Sequence, residues 1–206
     1  MSEPGGAVAV VLAAGRSTRM GRLKQLLPLE GRTLIEAVVA ALVGRVDRIV
    51  VVVGYGAAEV RQVLAGLPVV CAENPEYAAG MLTSVQCGLH AAGRPGPYLV
   101  CLGDQPVIPA GVVEAILRAG AAAPGSIVVP TWEDRGGHPV LLPEACLEEV
   151  LALPSDRGLD AVVRRPGARV VRLPVEDPAV LRDLDTPEDY ARELARRERS
   201  SEQTGR

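Results

Sequence analysis

Between residues 12 and 24 the chain reads Leu12-Ala13-Ala14-Gly15-Arg16-Ser17-Thr18-Arg19-Met20-Gly21-Arg22-Leu23-Lys24. Arg16, Arg19, Arg22 and Lys24 concentrate positive charge there, and no acidic residue stands between Glu3 and Glu30. Gly15 and Gly21 let the backbone turn sharply and present N–H groups to a ligand. Triphosphate binding is the chemistry this set suits; a solvated basic loop is the plainer reading of the same charges. Lys24 is the only lysine in the chain, every other basic residue being arginine, which points to a need for a compact ammonium at that position. The loop has neither the Gly-x-Gly-x-x-Gly spacing of dinucleotide sites nor the Gly-x-x-x-x-Gly-Lys-Ser/Thr of P-loops, so dehydrogenase and P-loop kinase readings lose ground.

Two carboxylates complement the loop. The apolar run Tyr98 to Leu102 delivers Gly103-Asp104-Gln105-Pro106, and Asp183-Leu184-Asp185-Thr186-Pro187 comes late in the chain. Magnesium takes one or two protein carboxylates and fills its octahedron with water and phosphate oxygens, so Asp104 and Asp185 suffice as metal ligands if the fold brings them together. Each alone also reads as a turn or helix-start aspartate. Gly80-Met81-Leu82-Thr83-Ser84 opens a helix whose free N–H groups could hold an anion or a nucleotide edge; an ordinary capped helix is the favoured reading of these residues by themselves. In Gly136-Gly137-His138-Pro139, His138 could wall an acceptor pocket or simply sit in a turn. Cys71 and Cys101 fall in apolar runs and read as small buried hydrophobes.

These residues need elements to position them. Continuous apolar runs of strand length occur at Ala7 to Ala13, Ile49 to Val53, Tyr98 to Leu102 and Ile127 to Val129, without the alternation of half-exposed strands, as expected of a buried parallel sheet. Helical spacing links Leu34, Ile35, Val38, Val39 and Leu42; then Val60, Val63, Leu64 and Leu67; then Val112, Val113, Ile116 and Leu117. Thr33 with Glu36 makes a capping box, and Thr186-Pro187 starts the last helix. Prolines break the second half into short pieces, with an antiparallel strand expected over His138 to Leu142. The alternation of strand and helix predicts a single-domain, Rossmann-like α/β fold, a mostly parallel sheet flanked by helices, with chemistry at the carboxyl ends of the strands.

With 206 residues there is room for one well-buried domain: residues 1–6 read as a disordered tail, 7–195 as the domain and 196–206 as a frayed charged tail. The net charge of -3 argues against a nucleic-acid-binding surface. The four cysteines and two histidines are too scattered for structural zinc. No run reaches the roughly 18 apolar residues of a membrane span, and no leader is visible, so a cytoplasmic protein is expected.

Leu12-Ala13-Ala14-Gly15-x-Ser17-x-Arg19-Met20-Gly21-x-x-Lys24 resembles the signature loop of the nucleotidyltransferases that mature molybdenum cofactor, above all their cytidylyltransferase branch. Pro28-x-x-Gly31-x-x-Leu34-Ile35, Asn74-Pro75-x-x-x-x-Gly80-Met81-x-x-Ser84, Gly103-Asp104-Gln105-Pro106, Gly137-His138-Pro139-Val140 and Asp185-Thr186-Pro187-Glu188-Asp189 follow in the family's order. The resemblance implies a GT-A-like nucleotidyltransferase that moves CMP from CTP to molybdopterin and releases pyrophosphate. It implies that Leu12, Ala13, Ala14, Gly15, Arg19, Lys24 and Ser84 bind the nucleotide, that Arg19, Lys24 and Asp104 are catalytic, that Asp104 and Asp185 hold Mg2+, and that His138 meets the acceptor. Its partners are CTP or another NTP and a molybdopterin-type molecule, with the recipient molybdoenzyme or its chaperone beyond; nucleic acid and membrane are not among them. Ala14, where guanylyl relatives carry glycine, points to CTP. The chain departs from the family at Val85-Gln86, in place of Leu-Arg, and at Asp160, in place of arginine. A nucleotidyltransferase acting on a sugar, polyol or choline phosphate, and a noncatalytic nucleotide sensor, are the competing readings.

Overall fold

The computed structural model describes residues 6–93, 96–105 and 108–204. Most of the expected N-terminal tail, and Pro106 of the Gly-Asp-Gln-Pro run, lie outside the described residues. The first apolar run forms β1 (Val8–Ala13). A short hairpin follows, β2 (Pro28–Leu29) with β3 (Arg32–Thr33), then α1 (Leu34–Leu42), β4 (Arg48–Val53), α2 (Ala57–Val63), β5 (Val70–Glu73), α3 (Met81–Ala92), β6 (Tyr98–Leu102) and α4 (Ala110–Ala122). The second half contributes β7 (Ile127–Trp132), β8 (Arg135–Gly136), β9 (Val140–Leu142), α5 (Leu147–Ala152), α6 (Asp160–Val163), β10 (Val170–Pro174) and α7 (Pro187–Thr204). α1 starts on the expected capping box, with both halves formed between Thr33 and Glu36.

The large sheet has the order β10-β7-β9-β6-β1-β4-β5, with β8 paired to β7. Its strands are parallel except where β9 and β8 reverse, so the sequence-based fold class holds, including the antiparallel piece before Leu142. Two expectations need correction. β7 does not stop at Pro130 but runs through it to Trp132, because the ring removes only a donor and the Pro130 carbonyl still accepts from Gly137 N–H at 2.9 Å. Leu67 lies beyond α2, which ends at Val63.

Alternate residues of β1 serve opposite cores, as the pleat requires. Ala9, Val11 and Ala13 pack with Ile35, Val38 and Leu42 of α1 and Ile116 of α4. Val8 and Val10 pack with Leu82, Val85 and Leu89 of α3. Burying each branched side chain contributes about 1.5–3 kcal/mol relative to leaving it exposed. That fixes the strand ends from which the site is built.

A third, smaller cluster of Met20, Leu27, Leu29, Leu34 and Leu184 receives Tyr190 and Leu194 of α7. Beside it the Glu193 carboxylate, 3 % exposed, accepts from Arg182 at 2.8 Å, Arg196 at 2.8 Å and Arg197 at 2.8 Å. This cluster clamps the last helix, and the aspartates that precede it, against the hairpin. No described helix is long and apolar enough to cross a membrane, and all four cysteines are free.

Candidate active site

β1 and β6 are parallel neighbours, so their carboxyl ends open on one edge of the sheet. Gly103 lets them meet there: its N–H donates to the Leu12 carbonyl at 2.9 Å, and a Cβ would stand 2.8 Å from that oxygen. Asp104 is thereby set beside the loop that leaves β1. That loop folds back on itself. Ser17, at φ 52, accepts a hydrogen bond from Lys24 N–H at 3.1 Å. Gln25, buried, donates from Nε2 to the Ala13 carbonyl at 3.0 Å and pins the loop to the strand end.

The result is one cleft lined by Leu12, Gly15, Arg19, Lys24, Asp104 and Asp185, among others. Lys24 Nζ lies 2.6 Å from Asp104 Oδ2 and 2.8 Å from Asp185 Oδ1, across 161 positions of sequence in the second case. Arg19 Nη2 reaches the other oxygen of Asp185 at 2.8 Å. The Lys24 side chain is 12 % exposed and that of Arg19 69 %, so the lysine is built in whereas the arginine reaches from the rim. Burial alone pulls the Lys24 ammonium down, but the charge and hydrogen bonds of Asp104 and Asp185 outweigh it and hold its pKa above the ordinary value. The hydrogen bond from Lys24, with the charges of Lys24 and Arg19, holds the Asp185 carboxyl below its ordinary value. The cleft thus sets two carboxylates, Asp104 and Asp185, against the Lys24 ammonium and the Arg19 guanidinium.

Asp104 and Asp185 suit a hard divalent ion: their oxygens already converge on one cation, and carboxylate donors are those magnesium accepts. Among the described residues no three His, Cys, Asp or Glu side chains converge as a metal group, so an ion held by this pair would need water and phosphate oxygens to complete its shell.

Leu12 also lines a second, larger cleft of about 480 Å³ over the face of the sheet. Its floor is apolar, with Leu82, Val85, Val100, Val129 and Val140, and its polar members include His138, Asp160, Arg164 and Arg172. Gly137 permits its wall, since a Cβ there would stand 2.0 Å from the Val180 carbonyl oxygen. Burial pushes the His138 imidazole below its ordinary pKa, with Asp104 pulling weakly the other way, so the ring is neutral at pH 7.

Of the residues singled out from sequence, Leu12, Ala13, Gly15, Arg19, Lys24, Asp104 and Asp185 line the first cleft and His138 the second. Two do not join them. Ser84 lies on the face of α3 that packs inward and accepts from Asn74 Nδ2 at 3.0 Å; it is a buried structural hydroxyl. The Ala14 methyl also turns into the core, where a Cβ on Gly54 would lie 2.9 Å from it, so it does not border the cleft. Gln86, which replaces the family's arginine, donates from Nε2 to the carbonyls of Val150, Leu151 and Leu153 at 3.0, 3.3 and 2.9 Å, tying α3 to the end of α5.

Sequence reasoning missed Gln25 and Asp183. Asp183 stands near enough to the pair that burial, then the charges of Asp104 and Asp185, push its carboxyl above its ordinary value. The spacing Asp183-x-Asp185 was its only signal; Gln25 had none beyond its place next to Lys24.

A family model described as "MobA-like NTP transferase domain" matches residues 9–170. The molybdenum cofactor cytidylyltransferase of Escherichia coli (strain K12) is 28 % identical over 182 residues, which span 88 % of this chain and 92 % of that protein. The nicotine blue oxidoreductase of Paenarthrobacter nicotinovorans is 33 % identical over 195 residues, 90 % of this chain and 95 % of that protein. Among solved structures, a Mycobacterium tuberculosis H37Rv protein in complex with manganese matches with a TM-score of 0.75 at 31 % identity, covering 92 % of this chain and 98 % of that one.

Proposed function

The chain belongs to the MobA-like NTP transferase family, and from that premise we propose that it is a magnesium-dependent cytidylyltransferase of the cytoplasm that transfers CMP from CTP to molybdopterin. The observation that carries the proposal is the cleft in which Lys24 stands between Asp104 and Asp185, with Leu12 lining both it and an apolar cleft. One end suits a triphosphate and its metal; the other suits a flat ring.

In the proposed reaction a terminal phosphate oxygen of molybdopterin attacks the α-phosphorus of CTP in line. The bond from that phosphorus to the β-phosphate oxygen breaks, and pyrophosphate leaves with its electron pair. The attacking phosphate is ionised near neutral pH, so no general base is required. Arg19 and Lys24 take the triphosphate oxygens, which positions the α-phosphorus and offsets its charge. Asp104 and Asp185 are the residues that would hold Mg2+, whose chemistry is to neutralise charge developing at the α-phosphate. Neutral His138 offers a hydrogen bond or a ring face to the acceptor.

The apolar floor favours molybdopterin over a sugar, polyol or choline phosphate. Hydroxyls laid on Val100, Val129 and Val140 would lose their water without gaining partners, at about 1–3 kcal/mol each, whereas a pterin ring presents apolar faces and needs polar partners only at its edge. Incubating the protein with CTP, magnesium and, in turn, molybdopterin, glucose 1-phosphate and choline phosphate, with products weighed by mass spectrometry, tests this. A CMP-bearing pterin is expected. A CMP-sugar or CMP-choline would move the acceptor class, CTP binding without turnover would favour a sensor, and redox turnover without nucleotide transfer would favour the chemistry named for the Paenarthrobacter relative.

A further inference from the structure

Lys24 Nζ, 2.6 Å from Asp104 Oδ2 and 2.8 Å from Asp185 Oδ1, stands in the gap that a metal shared by those carboxylates would fill. Magnesium requires its oxygens at about 2.0–2.1 Å. An ammonium and a divalent ion repel each other and compete for the same lone pairs, so both cannot hold both oxygens. Arg19 engages the second oxygen of Asp185 at 2.8 Å, so that carboxylate has a cation on each side. Charge balance at the pair is thus supplied by the chain itself.

We propose that Lys24 is a resident cation that keeps a divalent metal out of the Asp104–Asp185 site until a triphosphate draws the lysine away, so that metal and nucleotide bind cooperatively. The proposal rests on the reading of Asp104 and Asp185 as metal ligands. Phosphate oxygens replace the carboxylates as partners of Lys24 and Arg19, and the carboxylates pass to the ion that the triphosphate carries. The stem of Lys24 can make this exchange while its backbone stays fixed, because Lys24 N–H is held by Ser17 Oγ at 3.1 Å and the adjoining Gln25 by the Ala13 carbonyl at 3.0 Å. Arginine would serve less well, since its planar fork would keep both carboxylates in a fixed geometry. That is a reason for the only lysine in the chain to stand at this position. Coupling of this kind is reciprocal: metal raises nucleotide affinity by the factor by which nucleotide raises metal affinity.

Mn2+ binding, followed by the electron paramagnetic resonance of the free ion, tests the proposal without turnover. Nucleotide-free wild type should bind Mn2+ at least about tenfold more weakly than Lys24→Met. Adding α,β-methylene-CTP should raise wild-type affinity by more than it raises that of the variant. The site gained by Lys24→Met should vanish in the Lys24→Met/Asp104→Asn double variant. Lys24→Gln, which keeps chain length and polarity, serves if the methionine variant does not fold. Equal Mn2+ affinity of nucleotide-free wild type and variant overturns the proposal but leaves the transferase reading standing. Mn2+ binding that survives Asp104→Asn, or no binding in either lysine variant, overturns it together with the metal assignment. Failure of CMP transfer to molybdopterin would remove the proposed acceptor without touching this result.

Discussion

Replacing Glu193 with glutamine should loosen the last helix from the body of the protein while leaving side-chain volume almost unchanged. The carboxylate is 3 % exposed and meets Arg182, Arg196 and Arg197, each at 2.8 Å. Removing one member of a buried ionic cluster costs about 3–5 kcal/mol when the remaining charges cannot reach water. Here the arginines are 24, 42 and 15 % exposed, and the amide oxygen still accepts, so screening brings the expected cost to about 2–3 kcal/mol. For a chain of this size that is a fall in Tm of about 4–12 °C. Burial by itself raises the pKa of Glu193, but hydrogen bonds from Arg196 and Arg197 and the charge of Arg182 outweigh it, and the folded pKa lies below the ordinary value. A carboxyl whose folded pKa is depressed stabilises the fold above its unfolded pKa, and that contribution is lost as pH falls through the folded pKa. Urea denaturation of both proteins from pH 7 down into the acid range should therefore give a gap that is full at neutrality and closes in acid. A gap that stays constant with pH, or is absent at pH 7, would refute the electrostatic role given to Glu193. Because Arg182 leads directly into Asp183 and Asp185, the variant should also need more magnesium for half-maximal activity.

Asp104→Ala and Asp185→Ala should each abolish pyrophosphate release at a cost of about 1 kcal/mol or less in stability, since both side chains are about a third exposed; near-wild-type turnover at saturating magnesium would remove that residue from the metal site. Lys24→Ala should lower kcat/KM by about a hundredfold or more. Arg22→Ala, which removes the same charge from an exposed position of the loop, should lower it by less than about threefold; equal losses would reduce the loop to a diffuse basic patch. CTP should be used at least about tenfold better than GTP. Ala14→Gly should leave that preference unchanged while costing about 1 kcal/mol in stability for the lost buried methyl, because the methyl faces Gly54 in the core; a narrowed gap would put Ala14 back at the base.

Much of the frame was readable because it depends on local pattern. The run Tyr98 to Leu102 is continuous and apolar, and it is a strand with those bounds; the Thr33–Glu36 spacing is a capping box and behaves as one. The loop after β1 and the carboxylate after β6 announced themselves through charge, glycine and position beyond a strand. What stayed hidden depends on which way a polar side chain faces once the sheet has closed. Gln25, Asn74, Ser84 and Glu193 are all buried, yet in sequence each is one more polar residue. Resemblance implies a nucleotide contact for Ser84, but the pitch of α3 turns it inward to Asn74. The meeting of Lys24 with Asp185 could be guessed only through resemblance, since the strand order and the docking of α7 bring them together from opposite ends of the chain.

Pyrophosphate release in the presence of CTP, molybdopterin and magnesium is the most direct test of the central claim. One pyrophosphate should appear for each CMP joined to the pterin, release should stop when magnesium is chelated, and the Asp104→Ala protein should release none. Wild-type protein that binds CTP and molybdopterin yet releases no pyrophosphate at saturating magnesium would contradict the account.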